Sequence, residues 1–306
     1  MNSKVMLNLR RALPAVAAIG GAAIAAGVAS YLYGSLIEAR RYHLEMVRIR
    51  IPRDVNGTGV PPRPPLRVLH ISDLHLAQPE SHKVEFLRRI TSMDYDMIVL
   101  TGDVFEDFTG IQYAEALLKR RPRYGAYAVL GNHDYYDYSY FNKIIGRLFR
   151  KFRHPPEKRQ VEPMVEALEK VGYKVLRHQA IEIPEARLQV IGIDYPGIAG
   201  GALKKLVDDA PDDYLRLALL HVPHNLNILP EAGIDVAFAG HTHGGQVRIP
   251  GIGAIITDSE LHRKEASGVV YRKHTAIHVS RGLGADPKTN FRIFCPPAAT
   301  VIHVDQ

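Results

Sequence analysis

The sequence predicts an α/β fold with a parallel core, on three observations. Short apolar runs alternate with helix-like stretches between Leu66 and Leu130, and this β–α–β–α–β order is the pattern of a parallel sheet. Further apolar runs at Leu188–Ile193, Leu215–Leu220 and Val236–Ala239 lengthen the sheet-forming part of the chain. Polar clusters rich in Asp, His and Asn stand at the carboxyl ends of five of these runs, which is where open α/β sheets carry their active groups.

The first element is an uncharged stretch of 26 residues, Ala12–Ile37. As a helix it spans about 39 Å, enough to cross a bilayer with tilt. Arg10 and Arg11 precede it; Arg40, Arg41, Arg48, Arg50 and Arg53 follow it. It reads as a membrane anchor. A cleaved export signal is the second reading, because Arg10-Arg11 ahead of an apolar run loosely resembles a twin-arginine signal and Val28-Ala29-Ser30 offers a cleavage site. A buried soluble helix is the third. The heavier positive flank lies on the C-terminal side, which favours a domain on the cytoplasmic face of the cell inner membrane. The expected organisation is therefore an anchor with its flanks over 1–43 and a catalytic domain over 44–306.

Residues 44–51 alternate apolar and charged side chains, as a half-buried strand does. A Gly/Pro-rich loop follows, and Leu66–Ile71 is the first buried strand, ending at Ser72-Asp73. Ser81–Thr91 reads as a helix, with Val84, Leu87 and Ile90 on one face. Met97–Leu100 is the next strand, Ile111–Lys119 a second helix, and Ala126–Leu130 the third strand. Residues 135–160 read as an amphipathic insertion: Ile144, Ile145, Leu148, Phe149 and Phe152 share a helical face ringed by Lys143, Arg147, Arg150, Lys151 and Arg153. It suits either packing on the domain's own surface or a lid over acyl chains. Tyr135, Tyr136, Tyr138, Tyr140 and Phe141 crowd its start, placed to pack it, or to stack a nucleobase. Beyond Gln246 the chain is strand and turn, with strands at Val269–Tyr271, Thr275–Val279 and Ala299–Val304.

The polar clusters come in a fixed order: Asp73-Leu74-His75, Gly102-Asp103, Gly131-Asn132-His133-Asp134, His221, and Gly240-His241-Thr242-His243. Each is weak alone; together they deliver carboxylate, imidazole and amide groups to one sheet edge. A dinuclear hydrolytic centre needs that mixture, a carboxylate to bridge two cations and neutral ligands to hold them. Two metals about 3.5–4 Å apart clamp a phosphate and activate a hydroxide for in-line attack. The single cysteine, Cys295, excludes an intramolecular disulfide and a thiolate cluster. Oxygen and nitrogen ligands suit manganese, iron, zinc or nickel.

This set resembles the calcineurin-like metallophosphoesterase superfamily, from about Val68 to Gln246, and Gly240-His241-Thr242-His243-Gly244-Gly245-Gln246 is similar to its membrane-associated bacterial phosphodiesterases. The resemblance implies a four-layer αββα sandwich of two mixed sheets. It implies two divalent metal ions, with manganese the first expectation. Asp73, His75 and His243 would hold one metal, Asn132, His221 and His241 the other, and Asp103 would bridge them. His133 would contact phosphate oxygens and protonate the leaving group. Asp134 is expected to fix the tautomer of His133, its other reading being a solvated turn residue. The Arg281-Gly282 turn offers an arginine to a substrate phosphate.

The implied activity is hydrolysis of a phosphodiester or pyrophosphate. Some members of the superfamily cleave the pyrophosphate of UDP-2,3-diacylglucosamine in lipid A synthesis, releasing UMP, and carry a lipid-binding cap after the same motif. The anchor and the amphipathic insertion favour such a lipid-linked substrate at a membrane; a broad-specificity envelope phosphodiesterase is the alternative. Charge argues against nucleic acid as a partner. Of the +7 net charge, residues 1–67 carry all of it, with ten Lys/Arg against three Asp/Glu, and residues 68–306 are balanced. A scaffold without activity would be expected to lack ligands, and none is missing.

Overall fold

The computed structural model describes residues 3–51, 64–138, 155–285 and 290–305. Two six-stranded mixed sheets form the centre. The strands of the first, in spatial order, are β1 (His43–Arg50), β16 (Ala298–Asp305), β2 (Leu66–Ile71), β3 (Met97–Thr101), β4 (Ala126–Val129) and β7 (Tyr173–Val175). Here β2, β3, β4 and β7 run parallel and β16 antiparallel to β2. The second sheet is ordered β14 (Gly268–Arg272), β15 (Thr275–Val279), β11 (Val236–Ala239), β10 (Leu215–Leu220), β9 (Leu188–Ile193) and β8 (Gln179–Ile183). Its four central strands are parallel and both edge strands antiparallel.

Three apolar clusters are the three interfaces of a four-layer sandwich. Between the sheets lie Val68, Met97, Val99 and Val129 against Val190, Leu217, Leu219, Val236 and Phe238. Alternate residues of the first sheet, Leu69, Ile71, Ile98 and Leu100, meet the outer helices through Val84, Leu87, Ile90, Met164 and Leu168. On the far side Ile191, Ala218, Leu220 and Ala237 meet Leu203, Val207 and Leu229. Both faces of each central strand are thus covered, which is why these strands are continuous apolar runs rather than alternating ones.

Helix α2 spans His82–Thr91 and buries Val84, Leu87 and Ile90 as the spacing predicts. The helix expected at Ile111–Lys119 is instead a 3-10 helix over Phe108–Ala116. Asp107 caps it by accepting from Thr109 N at 2.8 Å, and Gly110 packs so closely that a Cβ would lie 1.9 Å from Leu76 O. That local cap and close approach start the element three residues early and hold it in the tighter winding. Two helices escape the apolar-run reading. Glu162–Val171 buries only Met164 and Leu168, and Gly200–Asp208 only Leu203 and Val207. The first has proline in its opening turn and ends at left-handed Gly172, a start and stop pair legible by rule.

The strand expected at 44–51 forms as β1, paired in parallel to β16. The N-terminal helix α1 covers Ser3–Leu36. Ile19, Ile24, Val28, Leu32 and Leu36 are exposed, which overturns the buried-helix reading. Its length and composition over Ala18–Arg40 suffice to cross a membrane. The amphipathic face at Ile144–Phe152 lies outside the described residues. The described ends of that insertion are not helical throughout: after a single turn at Asn132–Tyr135, β5 (Tyr136–Asp137) pairs antiparallel with β6 (Glu157–Lys158) as a short neck.

Candidate metal centre

Each sequence cluster lies just beyond a central strand, and the two sheets bring all five to one edge. His221, after β10, reaches the first sheet, where its Nδ1 lies 2.7 Å from Thr101 O. Gly240, after β11, packs on Ser72 and Asp73. Glycine is required there. A Cβ on Gly240 would lie 2.1 Å from Ser72 Oγ and 2.6 Å from Asp73 Oδ2, and one on Gly131 would lie 2.2 Å from Asp103 Oδ1. Gly240→Ala is expected to fold yet push the Asp73 loop aside and lower kcat/KM about 100-fold, the scale of a 1 Å misplacement. Steady-state kinetics beside a thermal melt check it.

Five of the expected ligands, Asp73, His75, Asp103, His241 and His243, have φ between 45° and 71°. Non-glycine residues rarely adopt this left-handed region, and where strain is held it clusters at functional sites. The strain aims the side chains inward. Ligand atoms of Asp73, His75 and His243 lie within 4.8 Å of one another, as do those of Asp103, His221 and His241. Asn132 Oδ1 is 3.0 Å from both His221 Nε2 and His241 Nδ1. Asp103 Oδ2 stands between the groups, 3.2 Å from His221 Nε2 and 3.7 Å from His75 Nε2.

The tautomers test whether metal ions fit. His75 Nδ1–H donates to Glu106 Oε2 at 3.0 Å, His221 Nδ1–H to Thr101 O at 2.7 Å, and His243 Nδ1–H to Gly284 O at 3.2 Å. His241 is tied through the other nitrogen, Nε2–H to Asp258 O at 3.3 Å. All four imidazoles therefore turn their other ring nitrogen into the same space, and His75 Nε2 is buried there with no hydrogen-bond partner. Outer acceptors that fix each tautomer are the usual support of metal-bound histidine.

Charge is finely set. Burial alone would lower His221, but the Asp103 carboxylate outweighs it and raises the imidazole to about 9. Burial prevails at His243, lowered to about 4 despite Asp73. Asp103 is buried too, yet His221 and His133 hold its carboxyl well below the usual range.

A directed chain of hydrogen bonds supports Asp73 from the core. Ser72 Oγ donates to Asp73 Oδ2 (2.6 Å) and Thr101 Oγ1 donates to Ser72 Oγ (2.7 Å). His70 Nε2–H then donates to Thr101 Oγ1 (2.8 Å), which leaves His70 Nδ1 to accept from His278 Nδ1–H (2.8 Å). Burial keeps both rings neutral, His70 well below its usual value and His278 at about 4. The chain joins β15 of one sheet to β2 of the other.

Two expectations are corrected. Asp134 does not orient His133, nor is it a solvated turn residue. It is wholly buried, and its carboxylate accepts from Gly131 N (2.8 Å), Asp103 N (2.8 Å) and Val104 N (3.1 Å). It staples the β3 loop to the β4 loop. Burial and the charge of Asp103 push its carboxyl up to about 6. Arg281 is paired with Glu45 on β1. The turn it begins instead supports the Asp73 loop through Leu283 N to Ser72 O (3.1 Å) and Gly284 N to Asp73 O (2.6 Å).

Sequence reasoning missed Glu106 and Arg159. Besides bonding His75, Glu106 Oε2 lies 3.9 Å from His133 Nδ1. Arg159 Nη1 donates to the carbonyls of His133 (3.0 Å) and Glu106 (2.5 Å) from the far side of the insertion neck. Glu106→Ala is expected to lower metal affinity roughly 10–100-fold by releasing His75. Glu106→Gln, which keeps the acceptor, should recover part of it in a metal titration.

The sequence pattern of calcineurin-like phosphoesterases matches residues 66–245. The chain belongs to this family. Among relatives of this phosphoesterase, the uncharacterized metallophosphoesterase YkoQ of Bacillus subtilis is 28% identical over 79% of this chain and 84% of that protein. The UDP-2,3-diacylglucosamine pyrophosphatase LpxG of Chlamydia muridarum is 23% identical over 92% and 94%. Phosphodiesterase YaeI of Escherichia coli is 24% identical over 78% and 82%. The phosphoesterase is thus a metal-dependent hydrolase with His/Asp groups able to hold its ions and a phosphoester as substrate.

Proposed function

We propose that the protein is a membrane-anchored phosphoesterase with two metal ions that hydrolyses the pyrophosphate of a lipid-linked nucleotide such as UDP-2,3-diacylglucosamine, releasing UMP. The observation that carries the hydrolytic reading is the convergence of four imidazole nitrogens, Asn132 and two carboxylates on one space. Asp73, His75 and His243 would hold one ion and Asn132, His221 and His241 the other, with Asp103 within reach of both groups. Bound there, the ions supply Lewis-acid clamping of phosphate oxygens and an activated water. Asp134 holds the β3 and β4 loops together, and the Ser72–Thr101–His70–His278 chain supports Asp73. His133, half-buried at the rim, faces phosphate oxygens and delivers a proton to the leaving group.

The lipid reading rests on three supports. Helix α1 is apolar and exposed. Similarity to LpxG runs nearly the length of both chains. A cavity of about 220 Å³ opens beside His221, walled by Ile193, Tyr195, Ile198, Leu220 and Ile228, and suits an apolar or aromatic group of the substrate. The domain is read as facing the cytoplasm, the anchor as retained. Similarity to YaeI favours a second reading, an envelope phosphodiesterase of broad specificity.

The test is a manganese-supplemented assay of the full chain on UDP-2,3-diacylglucosamine, with His133→Ala as control. UMP release that requires metal and His133 is the expected result. No release, with metal-dependent cleavage of an aryl phosphodiester retained, would discard the lipid substrate and keep the second reading.

A further inference from the structure

A patch of exposed isoleucines lies beside the metal centre. Strands β12 (Arg248–Ile249) and β13 (Gly253–Ala254) form a short hairpin just after the His241–Gln246 loop. Ile249, Ile252, Ile255 and Ile256 are 43–51% exposed, and Phe294 next to them is 65% exposed. Four exposed isoleucines within so short a stretch of chain point to an interaction surface rather than ordinary scatter.

The hairpin and the end of α1 share one support, the segment 291–294. On one side Val247 bridges Ile293, with Arg248 N donating to Ile293 O (3.0 Å) and Ile293 N to Gln246 O (2.9 Å). On the other, Arg292 N donates to Gly34 O of α1 (3.2 Å), and Phe291 stacks on Tyr31 with ring centroids 5.6 Å apart. The fit at the helix is close: a Cβ on Gly34 would lie 2.5 Å from Phe291 Cε2 and 2.7 Å from Arg292 O. One turn beyond, the Glu38 carboxylate accepts from Cys295 N at 3.1 Å. The exposed apolar surface therefore continues from α1 across this segment to the hairpin tip. Basic side chains border it. Arg40 and Arg41 follow α1, and exposed Arg263 and Lys264 stand beside the hairpin, where Ala254 N donates to Arg263 O at 2.9 Å.

We infer that the β12–β13 hairpin and Phe294 dip into the interfacial region of the same bilayer that α1 enters, forming a second membrane contact. Exposed apolar side chains with Arg40, Arg41, Arg263 and Lys264 to either side, against Asp258 and Glu260, leave a basic balance that suits an anionic lipid surface. The consequence reaches the chemistry. A Cβ on Gly245 would lie 2.3 Å from Ala254 Cβ and 2.8 Å from Ile256 O, so the ligand loop packs directly on the hairpin. Seating the hairpin in the headgroups places His241 and His243 at the lipid surface, where a phosphate ester of an embedded lipid lies. The inference rests on the reading of α1 as membrane-inserted.

The chain contains no tryptophan, so single introduced tryptophans report without background. The full chain is reconstituted in phosphatidylcholine–phosphatidylglycerol vesicles, with and without bromine on the acyl chains. Ile252→Trp probes the hairpin, Ile24→Trp probes α1, and Met93→Trp probes the exposed C-terminal end of α2. The expected result is blue-shifted emission quenched by brominated lipid for Ile252→Trp and Ile24→Trp, and neither effect for Met93→Trp. Quenching of Ile24→Trp alone would overturn the hairpin contact and leave the anchor standing. Quenching of neither would overturn both. A blue shift of Ile252→Trp that depends on protein concentration and not on brominated lipid would show a second copy covering the patch, and would also overturn it.

Discussion

Asp103→Ala is expected to remove metal-dependent hydrolysis without unfolding the protein. Asp103 is a carboxylate within reach of both groups, 3.2 Å from His221 Nε2 and 3.7 Å from His75 Nε2. A bridging ligand holds two ions close enough to act on one phosphate. Its loss forfeits several kcal/mol of charge stabilisation in the transition state, roughly 10³-fold or more in kcat. A second readout separates bridging from a merely structural role. In the metal-free protein Asp103 raises His221 to about 9. At pH 7 that imidazole holds a proton which an arriving ion must displace. Metal affinity should therefore rise with pH, by about tenfold per unit below pH 9 for one displaced proton. Without Asp103, burial lowers His221 and this dependence should largely disappear near neutrality. Retained metal-dependent turnover with an unchanged pH dependence of metal binding would refute the bridging assignment. The Asp103 side chain also accepts from His133 N at 2.8 Å, so Asp103→Asn, which keeps an acceptor, is the better-folded companion variant.

What the sequence made legible divides along the range of the interaction. The central strands were plain because both faces of β2, β3, β10 and β11 are buried, which writes an unbroken apolar run. The convergence of the polar clusters was legible because each stands beyond such a run, as Asp73 stands after Ile71 and His241 after Ala239. The helices Glu162–Val171 and Gly200–Asp208 were not legible by apolar spacing, since each buries only two apolar side chains, and only the first carries a Pro start and a Gly stop that mark its ends. The supports of the site were illegible for another reason. Glu106, Arg159 and the His70–His278 pair act across sequence separations of 26 to 208 residues, and nothing near them in the chain names their partner. Asp134 shows the same limit. Its place in the Asn132-His133-Asp134 run suggested service to its neighbour, whereas its carboxylate is taken up by three backbone N–H groups of two loops.

His133→Ala is expected to leave metal content intact and lower kcat by about 10²–10⁴-fold, the usual contribution of a positioned general acid. The position supports that role. The backbone N–H of His133 is fixed on Asp103 Oδ1, and Arg159 grips its carbonyl, so the ring is held at the rim of the centre. The ring lies edge-on to His75, with centroids 4.9 Å apart, and its Nδ1 is 3.9 Å from Glu106. The size of the loss should follow the leaving group. An aryl phosphodiester departs as a weak base and needs little protonation, so its hydrolysis should fall least. A pyrophosphate or alkyl ester should fall most, and the alkaline limb of its pH–rate profile, where a general acid loses its proton, should change with the variant. Geometry also offers a rival role, because His75, Glu106 and His133 present ligand atoms within 4.8 Å of one another. If His133 were a ligand, its removal would lower bound metal and depress every substrate equally. Metal analysis of the purified variant, set beside rates for an aryl and an alkyl ester, decides between the two. An intact metal complement with a substrate-dependent loss identifies an acid; a reduced complement with a uniform loss identifies a ligand.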